Sequence, residues 1–293
     1  MTVPETGGRP ARPTEDWPGP VTYVGVGNMG APMARLLARS GGPVTVYARR
    51  PEVRAEFAAL GARASGSMAE AVRGAKVVCV CLFDEGQLRD VVLGKGGLLD
   101  LCDAGTVVVC HTTTGLNTLH RILDHARDRQ VQLVDAPVSG AASEIETGKL
   151  TVLAGGDAAT LDLVEPVLGT YGTVVRAGGV GSASRAKLVN NFLFAANVQL
   201  VVSAVQLARG LGISDEGMLE VLSCCSGGSE AVRHMGAAGR TPEEFGAGSS
   251  RYLVKDVAAA LATATELGAD PGLLEVVVRQ GPTTMTGKPP NGS

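Results

Sequence analysis

The sequence predicts an α/β protein: a doubly wound parallel sheet followed by a second, all-helical C-terminal domain. Three observations predict it. From Val21 to about Arg176, short apolar, β-branched runs alternate with helix-period segments, the pattern of strands linked by crossover helices. Beyond Gly178 the strand signal stops and helical patterns continue. The first strand also runs directly into a glycine cluster that opens a helix, "VTYVGVGNMGAPMARLL".

Residues 1–20, "MTVPETGGRPARPTEDWPGP", are polar and rich in Pro and Gly, with no apolar h-region; they read as a disordered leader. The strands expected next are Val21–Val24, Val44–Tyr47, Val77–Leu82, Val107–Cys110, Gln132–Asp135, Thr151–Ala154 and Thr173–Val175. They define an α/β domain at 21–177, with its ligand crevice at the strand C-termini. The stretch "SASRAKLVNNFLFAANVQLVVSAVQLARGLG" reads as one continuous helix ending at a Gly210 or Gly212 cap. It is apolar on nearly all sides, which calls for a bundle, a partner subunit or both. "SDEGMLEVLSCC" starts a helix with Ser214 as N-cap and acidic residues in its first turn. "SSRYLVKDVAAALATATELG" is a further helix closed by Gly268. These form a helical domain at 178–282, and residues 283–293 read as a disordered tail.

The chain has 293 residues, 45% hydrophobic but only 3% aromatic, so its core must be aliphatic. A formal net charge of -3 without any basic run speaks against a nucleic-acid partner. No segment is read as a membrane span. There is no C-x-x-C and no Cys/His cluster with metal spacing, so no metal is expected. Cys79 and Cys81 alternate in an apolar run and should share one strand face as reduced thiols, which suits a cytoplasmic protein.

The glycine loop fits a dinucleotide. Gly25 permits a tight turn, Gly27 a close backbone approach to a pyrophosphate, and Gly30 close helix–strand packing. Asn28 and Met29 complete the loop, and the diphosphate would meet free N–H groups at the positive helix end. The second strand, which often ends in an acid that binds the ribose hydroxyls, here ends Tyr47-Ala48-Arg49-Arg50. Two guanidiniums and no carboxylate suit a 2′-phosphate, so NADP is preferred, with NAD possible.

Together these motifs resemble the β-hydroxyacid dehydrogenase family, which includes 3-hydroxyisobutyrate and tartronate semialdehyde dehydrogenases and has a Rossmann-type domain. The resemblance runs from Val21 to about Gly268. It rests on "GVGNMGAPMARLL", on "CLFDEGQLRDVVLGKGGLL", on "DAPVSGAASEIETGKLTVLAGG", on "GSASRAKLVNN" and on "YLVKD". It implies that Lys187 is the general acid/base at the substrate oxygen, the group that must take or return the hydroxyl proton. Asn191, four residues on and on the same helix face, would orient the lysine or the substrate. It implies a substrate carboxylate at Ser139, Gly140 and Ala141. Leu82 and Phe83 would lie beside the nicotinamide ribose, with Phe83 where the family has proline. Thr112 and Thr113 would lie near nicotinamide and substrate. Lys255 would close over cofactor or substrate, while Asp256 would be structural.

The sequence departs from the family pattern at His111, where an Asp is usual, at Ala141, at Ala183, and at Gly248 or Ser249, where an aromatic is usual. His111 is expected to point away from the site, and the altered positions imply a different pocket. The resemblance thus implies an NADP(H)-dependent oxidoreductase that exchanges a hydride between nicotinamide and a small 3-hydroxy acid or its semialdehyde or keto counterpart. The long apolar helix, independently, calls for a homodimer or higher homo-oligomer. The alternatives are an imine or specialised carbonyl reductase of the same architecture and a non-catalytic dinucleotide-binding module; the presence of Lys187 speaks against both.

Overall fold

The computed structural model describes residues 16–140 and 142–286. The chain divides into two compact units, Met1–Lys187 and Leu188–Ser293. The strands of the first unit are β1 (Val21–Val24), β2 (Val44–Tyr47), β3 (Arg63–Ser65), β4 (Val77–Val80), β5 (Val107–Cys110), β6 (Gln132–Asp135), β7 (Val138–Ser139), β8 (Leu150–Gly155) and β9 (Gly172–Gly178). Its helices are α1 (Gly30–Arg39), α2 (Pro51–Ala59), α3 (Met68–Val72), α4 (Glu85–Leu93), α5 (Leu98–Leu101), α6 (Leu116–Asp128), α7 (Ala142–Ile145) and α8 (Ala158–Leu168).

The strands form one sheet in the order β3-β2-β1-β4-β5-β6-β8-β7, with β9 joined to β8. Pairing is parallel through β6. The period of two sends alternate side chains to opposite faces. Val21, Tyr23, Val77, Cys79, Val107 and Val109 enter one core, while Val24, Val78, Val80, Val108 and Cys110 enter the other. Strands buried on both faces are therefore largely apolar and rich in Val, and the one buried hydroxyl of β1, Thr22, donates to the Ala71 carbonyl at 2.5 Å. Each such side chain contributes about 1.5–3 kcal/mol relative to exposure.

The doubly wound parallel sheet carries an antiparallel strand at one edge. β8 runs antiparallel to both β6 and β7. Among the described residues, the stretch 136–149 holds only β7 and a single helical turn, too short for a packed crossover helix, so the chain folds back instead. β3, which the sequence reading omits, is a short and partly exposed strand with no apolar signal.

The termini of the described region are more ordered than expected. Trp17 packs against the first core, and its indole N–H donates to the Gly19 carbonyl at 2.8 Å. Folded structure thus begins before residue 21.

His111 follows β5 and is 3% exposed. Its Nδ1 lies 2.7 Å from the Ala136 carbonyl, which can only accept, so Nδ1 carries the proton. The Tyr171 hydroxyl then donates to Nε2 at 2.9 Å. Burial pushes the imidazole pKa down to about 4 against the opposing effect of the Ala136 carbonyl. The unfolded chain takes up this proton below about pH 6.5, whereas the folded chain does not until about pH 4. Neutral His111 therefore contributes stability above pH 6.5 that is lost as pH falls towards 4, on the order of 3 kcal/mol. Urea midpoints measured from pH 7 to 4.5 should fall less steeply in His111→Gln than in the parent. Parallel slopes would contradict the assignment.

The second unit is helical. α9 (Ser182–Gly210) begins in the first unit and continues through the second, followed by α10 (Asp215–Cys224), α11 (Glu230–Ala237), α12 (Pro242–Leu267) and α13 (Gly272–Gln280). The division falls inside α9, ten residues beyond the boundary read from sequence. Leu188, Phe192, Ala195, Val198 and Val202 of α9 meet Val232, Met235, Leu253 and Val257 in one core. Ser214 caps α10, accepting the Gly217 N–H at 3.2 Å. Thr241 and Glu244 form a capping box that starts α12 upstream of the predicted Ser249. Gly268 closes α12 in the left-handed conformation at φ 66°.

The expected tail from residue 283 also needs correction. Met285 is fully buried, and the Gln199 carboxamide accepts the Thr283 N–H at 2.9 Å and its hydroxyl at 2.7 Å. α9 likewise corrects the statement that no segment resembles a membrane span. It has 29 residues, with a mean hydropathy of 1.6 over its most apolar window. Half of that window is buried inside the protein, and those residues form the second unit's core.

Candidate active site

The C-terminal ends of β1, β4, β5 and β6 form one continuous edge. The ladder continues past the strands: Cys81 N donates to Val24 O, His111 N to Val80 O and Ala136 N to Cys110 O, at 2.8, 2.8 and 2.7 Å. The predicted residues Gly25, Leu82, Phe83, Thr112, Thr113, Ser139 and Gly140 all emerge just beyond this edge, where sheets of this type bind ligands.

The glycine loop contains two kinds of glycine. Gly25 has φ +96°, and a Cβ there would lie 2.0 Å from the Cys81 carbonyl oxygen. A Cβ on Gly30 would lie 1.9 Å from the Gly25 carbonyl oxygen. The protein's own packing therefore requires both. A Cβ on Gly27 would meet nothing within 4 Å, so the fold does not require glycine there and the backbone is open to a close approach. α1 begins after Met29 with no side-chain cap and no acid in its first turn, which leaves its positive end available to a phosphate. These features fit a dinucleotide.

Arg49 and Arg50 are exposed beyond β2. Arg50 lies 3.7 Å from Glu52. Arg54, not singled out from sequence, donates to the carbonyls of Ala48 and Arg49 at 3.0 and 2.8 Å and pins this turn. Its position within "PEVRAEF" carries no motif signal.

Thr112 is nearly buried, and its hydroxyl accepts the Leu82 N–H at 2.9 Å. It therefore shapes the Leu82–Phe83 turn. Leu82 packs partly against the second core. Phe83 is 84% exposed. Thr113 is half-buried beside them. Glu85, also absent from the sequence reading, accepts the Gly115 N–H at 3.0 Å and the Thr118 hydroxyl, joining α4 to α6.

Lys187 and Ser139 come together: Lys187 Nζ donates to Ser139 Oγ at 3.2 Å. Ser139 is the last residue of β7, paired with Thr151 of β8, and Gly140 follows at φ +133°. Ala141 lies outside the described residues. His111 is directed into the core, as expected. All six cysteines are free, and burial pushes Cys79 and Cys110 up to about 12. Among the described residues no group of metal-ligating side chains occurs.

In the second unit, Asn191 Nδ2 donates to Asp256 Oδ2 at 2.7 Å, joining α9 to α12. Asn190 donates to Asn191 Oδ1 at 3.2 Å. Asp256 thus has the structural role expected of it, while both polar ends of Asn191 are engaged by the protein. Lys255 is exposed on α12.

Residues 20–180 match the model of the NAD binding domain of 6-phosphogluconate dehydrogenase. Residues 181–283 match that of the NAD-binding of NADP-dependent 3-hydroxyisobutyrate dehydrogenase. The chain belongs to the β-hydroxyacid dehydrogenase family. Among curated members, the 2-(hydroxymethyl)glutarate dehydrogenase of Eubacterium barkeri is 32% identical over 72% of this chain and 71% of its own. The structure of Mycobacterium tuberculosis 3-hydroxyisobutyrate dehydrogenase with L-serine is 25% identical, has a TM-score of 0.76, and covers 88% of this chain and 91% of that one. An imine reductase from Myxococcus stipitatus, 19% identical, has a TM-score of 0.64 over 88% of this chain and 90% of its own; that likeness concerns the fold alone. As a β-hydroxyacid dehydrogenase family member, the chain is an oxidoreductase that uses a nicotinamide dinucleotide.

Proposed function

We propose that this chain is an NADP(H)-dependent dehydrogenase of a small 3-hydroxy acid, or reductase of its semialdehyde or keto counterpart, with Lys187 as general acid/base. The observation that carries the reading is the 3.2 Å contact between Lys187 Nζ and Ser139 Oγ beyond the sheet's C-terminal edge. It sets a proton-transferring amine next to a hydroxyl suited to a carboxylate. The loop at Gly25, Gly27, Asn28, Met29 and Gly30 would hold the dinucleotide, which when bound supplies or accepts the hydride. Lys187 takes the substrate hydroxyl proton in oxidation and returns it in reduction. Ser139 and the Gly140 N–H hold the carboxylate and so orient the reacting carbon.

The preference for NADP is supported by Arg49 and Arg50, exposed beyond β2 with no acid at that strand's end. Arg49→Ser/Arg50→Ser should weaken NADPH binding on the order of 10–100-fold, the loss of one or two charge-assisted contacts, and leave NADH binding unchanged. Titration of cofactor fluorescence checks this. Equal effects on both cofactors would assign the arginines elsewhere.

The reaction class is tested by turnover of 3-hydroxyisobutyrate, L-serine and 2-(hydroxymethyl)glutarate against a cyclic imine. Turnover of the imine alone would replace this reading with that of an imine reductase. Self-association is supported by α9 itself: Val189, Leu193, Leu200 and Leu207 are exposed on one helix face and continue to Leu211. A second copy of the chain would cover that apolar stripe.

A further inference from the structure

Asp135 ends β6 and is 1% exposed. Its Oδ1 accepts the Gly181 N–H at 2.6 Å, and its Oδ2 accepts the Ser184 N–H at 2.7 Å. These N–H groups belong to the start of α9, where the helix offers them no acceptor, and a carboxylate is favoured at that positive end. The space around it is reserved. A Cβ on Gly155 would lie 2.3 Å from Asp135 Oδ1, so β8 needs glycine where it passes the carboxylate. Burial raises the Asp135 pKa, while the two N–H donors pull it back down.

The placement matters because of what lies on each side. Ser139 follows Asp135 by four residues, and Lys187 follows Ser184 by three. The two side chains that meet at 3.2 Å are thus carried by the two segments that this one carboxylate ties together. We propose that Asp135 is a positioning residue that fixes Lys187 against Ser139 by anchoring the first turn of α9 to the β6 end. It contributes no proton to the reaction. The inference rests on the proposed role of Lys187.

The test is a double-mutant cycle of Asp135→Asn and Lys187→Ala. The amide keeps the volume but turns one acceptor into a donor facing an N–H. Asp135→Ser serves as a second variant if the amide variant fails to fold. Three readouts are taken: kcat/KM for whichever of 3-hydroxyisobutyrate and L-serine turns over faster, NADPH affinity, and hydrogen exchange of peptides spanning residues 179–188 without cofactor.

Asp135→Asn should lower kcat/KM about 100-fold, the effect of a displacement of about 1 Å. In the Lys187→Ala background it should cost less than about 2-fold, because coupled groups are not additive. NADPH affinity should hold, and exchange at the start of α9 should quicken. An equal loss in both backgrounds overturns the proposal and leaves Asp135 merely structural. So does a parent protein whose Gly181–Ser184 amides exchange as freely as an open loop. If Lys187→Ala leaves turnover intact, the functional reading itself fails and the proposal falls with it. If Lys187→Ala is damaging but Asp135→Asn is not, only the positioning role is lost.

Discussion

Lys187→Ala should lower kcat/KM for the preferred hydroxy acid about 10³-fold, within the range for removing a positioned acid/base group, while NADPH affinity and thermal stability should stay at parent values. The reason is local. Lys187 belongs to α9, whose first turn is tied to Asp135, and its amine meets Ser139 at 3.2 Å. Alanine leaves helix and tie intact and removes only the amine. Lys187→Arg should not restore the rate. A guanidinium keeps the charge but does not release a proton at neutral pH. Stopped-flow rates and cofactor titrations on the same preparations separate the two effects. A Lys187→Ala protein with parental kcat would show that the proton travels by another group.

A contrast between two glycines gives the second large effect. Gly27→Ala should leave the melting temperature unchanged, because its Cβ would enter open space. It should weaken NADPH binding at least about 10-fold if the backbone there must approach a pyrophosphate, since an interposed methyl costs more than about 1.4 kcal/mol. Gly25→Ala should behave in the opposite way. Its Cβ would lie 2.0 Å from a carbonyl oxygen at φ +96°, so the protein loses several kcal/mol from overpacking and strain whether or not cofactor is present. Melting curves with and without NADPH distinguish the two. If Gly27→Ala binds NADPH like the parent, this loop does not cradle the diphosphate.

Much of this arrangement was legible in the sequence, and the reasons differ from element to element. β1, β2, β5 and β6 appear at their predicted bounds because each is a short, largely apolar run set between helix-period segments. β3 and β7 did not, since three or two residues on a sheet edge carry no periodic signal. The antiparallel return at β8 was hidden because a run such as "LTVLAG" has no direction until its connection is known. α11 was missed as a short helix whose start depends on the Ser229 cap and not on a long apolar period.

The candidate site divides in the same way. Lys187 and Ser139 were named from motifs, and they are in contact. Thr112 was named as lying near nicotinamide, and its hydroxyl also accepts the Leu82 N–H, a bond that sequence spacing does not reveal. Asp135 was visible inside its motif, but its partners lie 46 and 49 residues away. Only the fold joins them. Thr283 and Met285 looked like tail because "GPTTMTGKPPNGS" is rich in turn formers, yet Thr283 is bonded to Gln199 and Met285 joins the second unit's apolar core.

The most direct measurement follows the transferred hydrogen. The purified protein is incubated with NADP⁺ and 3-hydroxyisobutyrate deuterated at the hydroxyl-bearing carbon, and the cofactor is analysed by mass spectrometry. The proposed function predicts reduced cofactor carrying one deuterium, formed by the parent protein and about 10³-fold more slowly by Lys187→Ala. Unlabelled or unreduced NADP⁺, with this acid and with correspondingly labelled L-serine and 2-(hydroxymethyl)glutarate, in a protein that binds NADPH tightly, would contradict 3-hydroxy acid oxidation as its reaction.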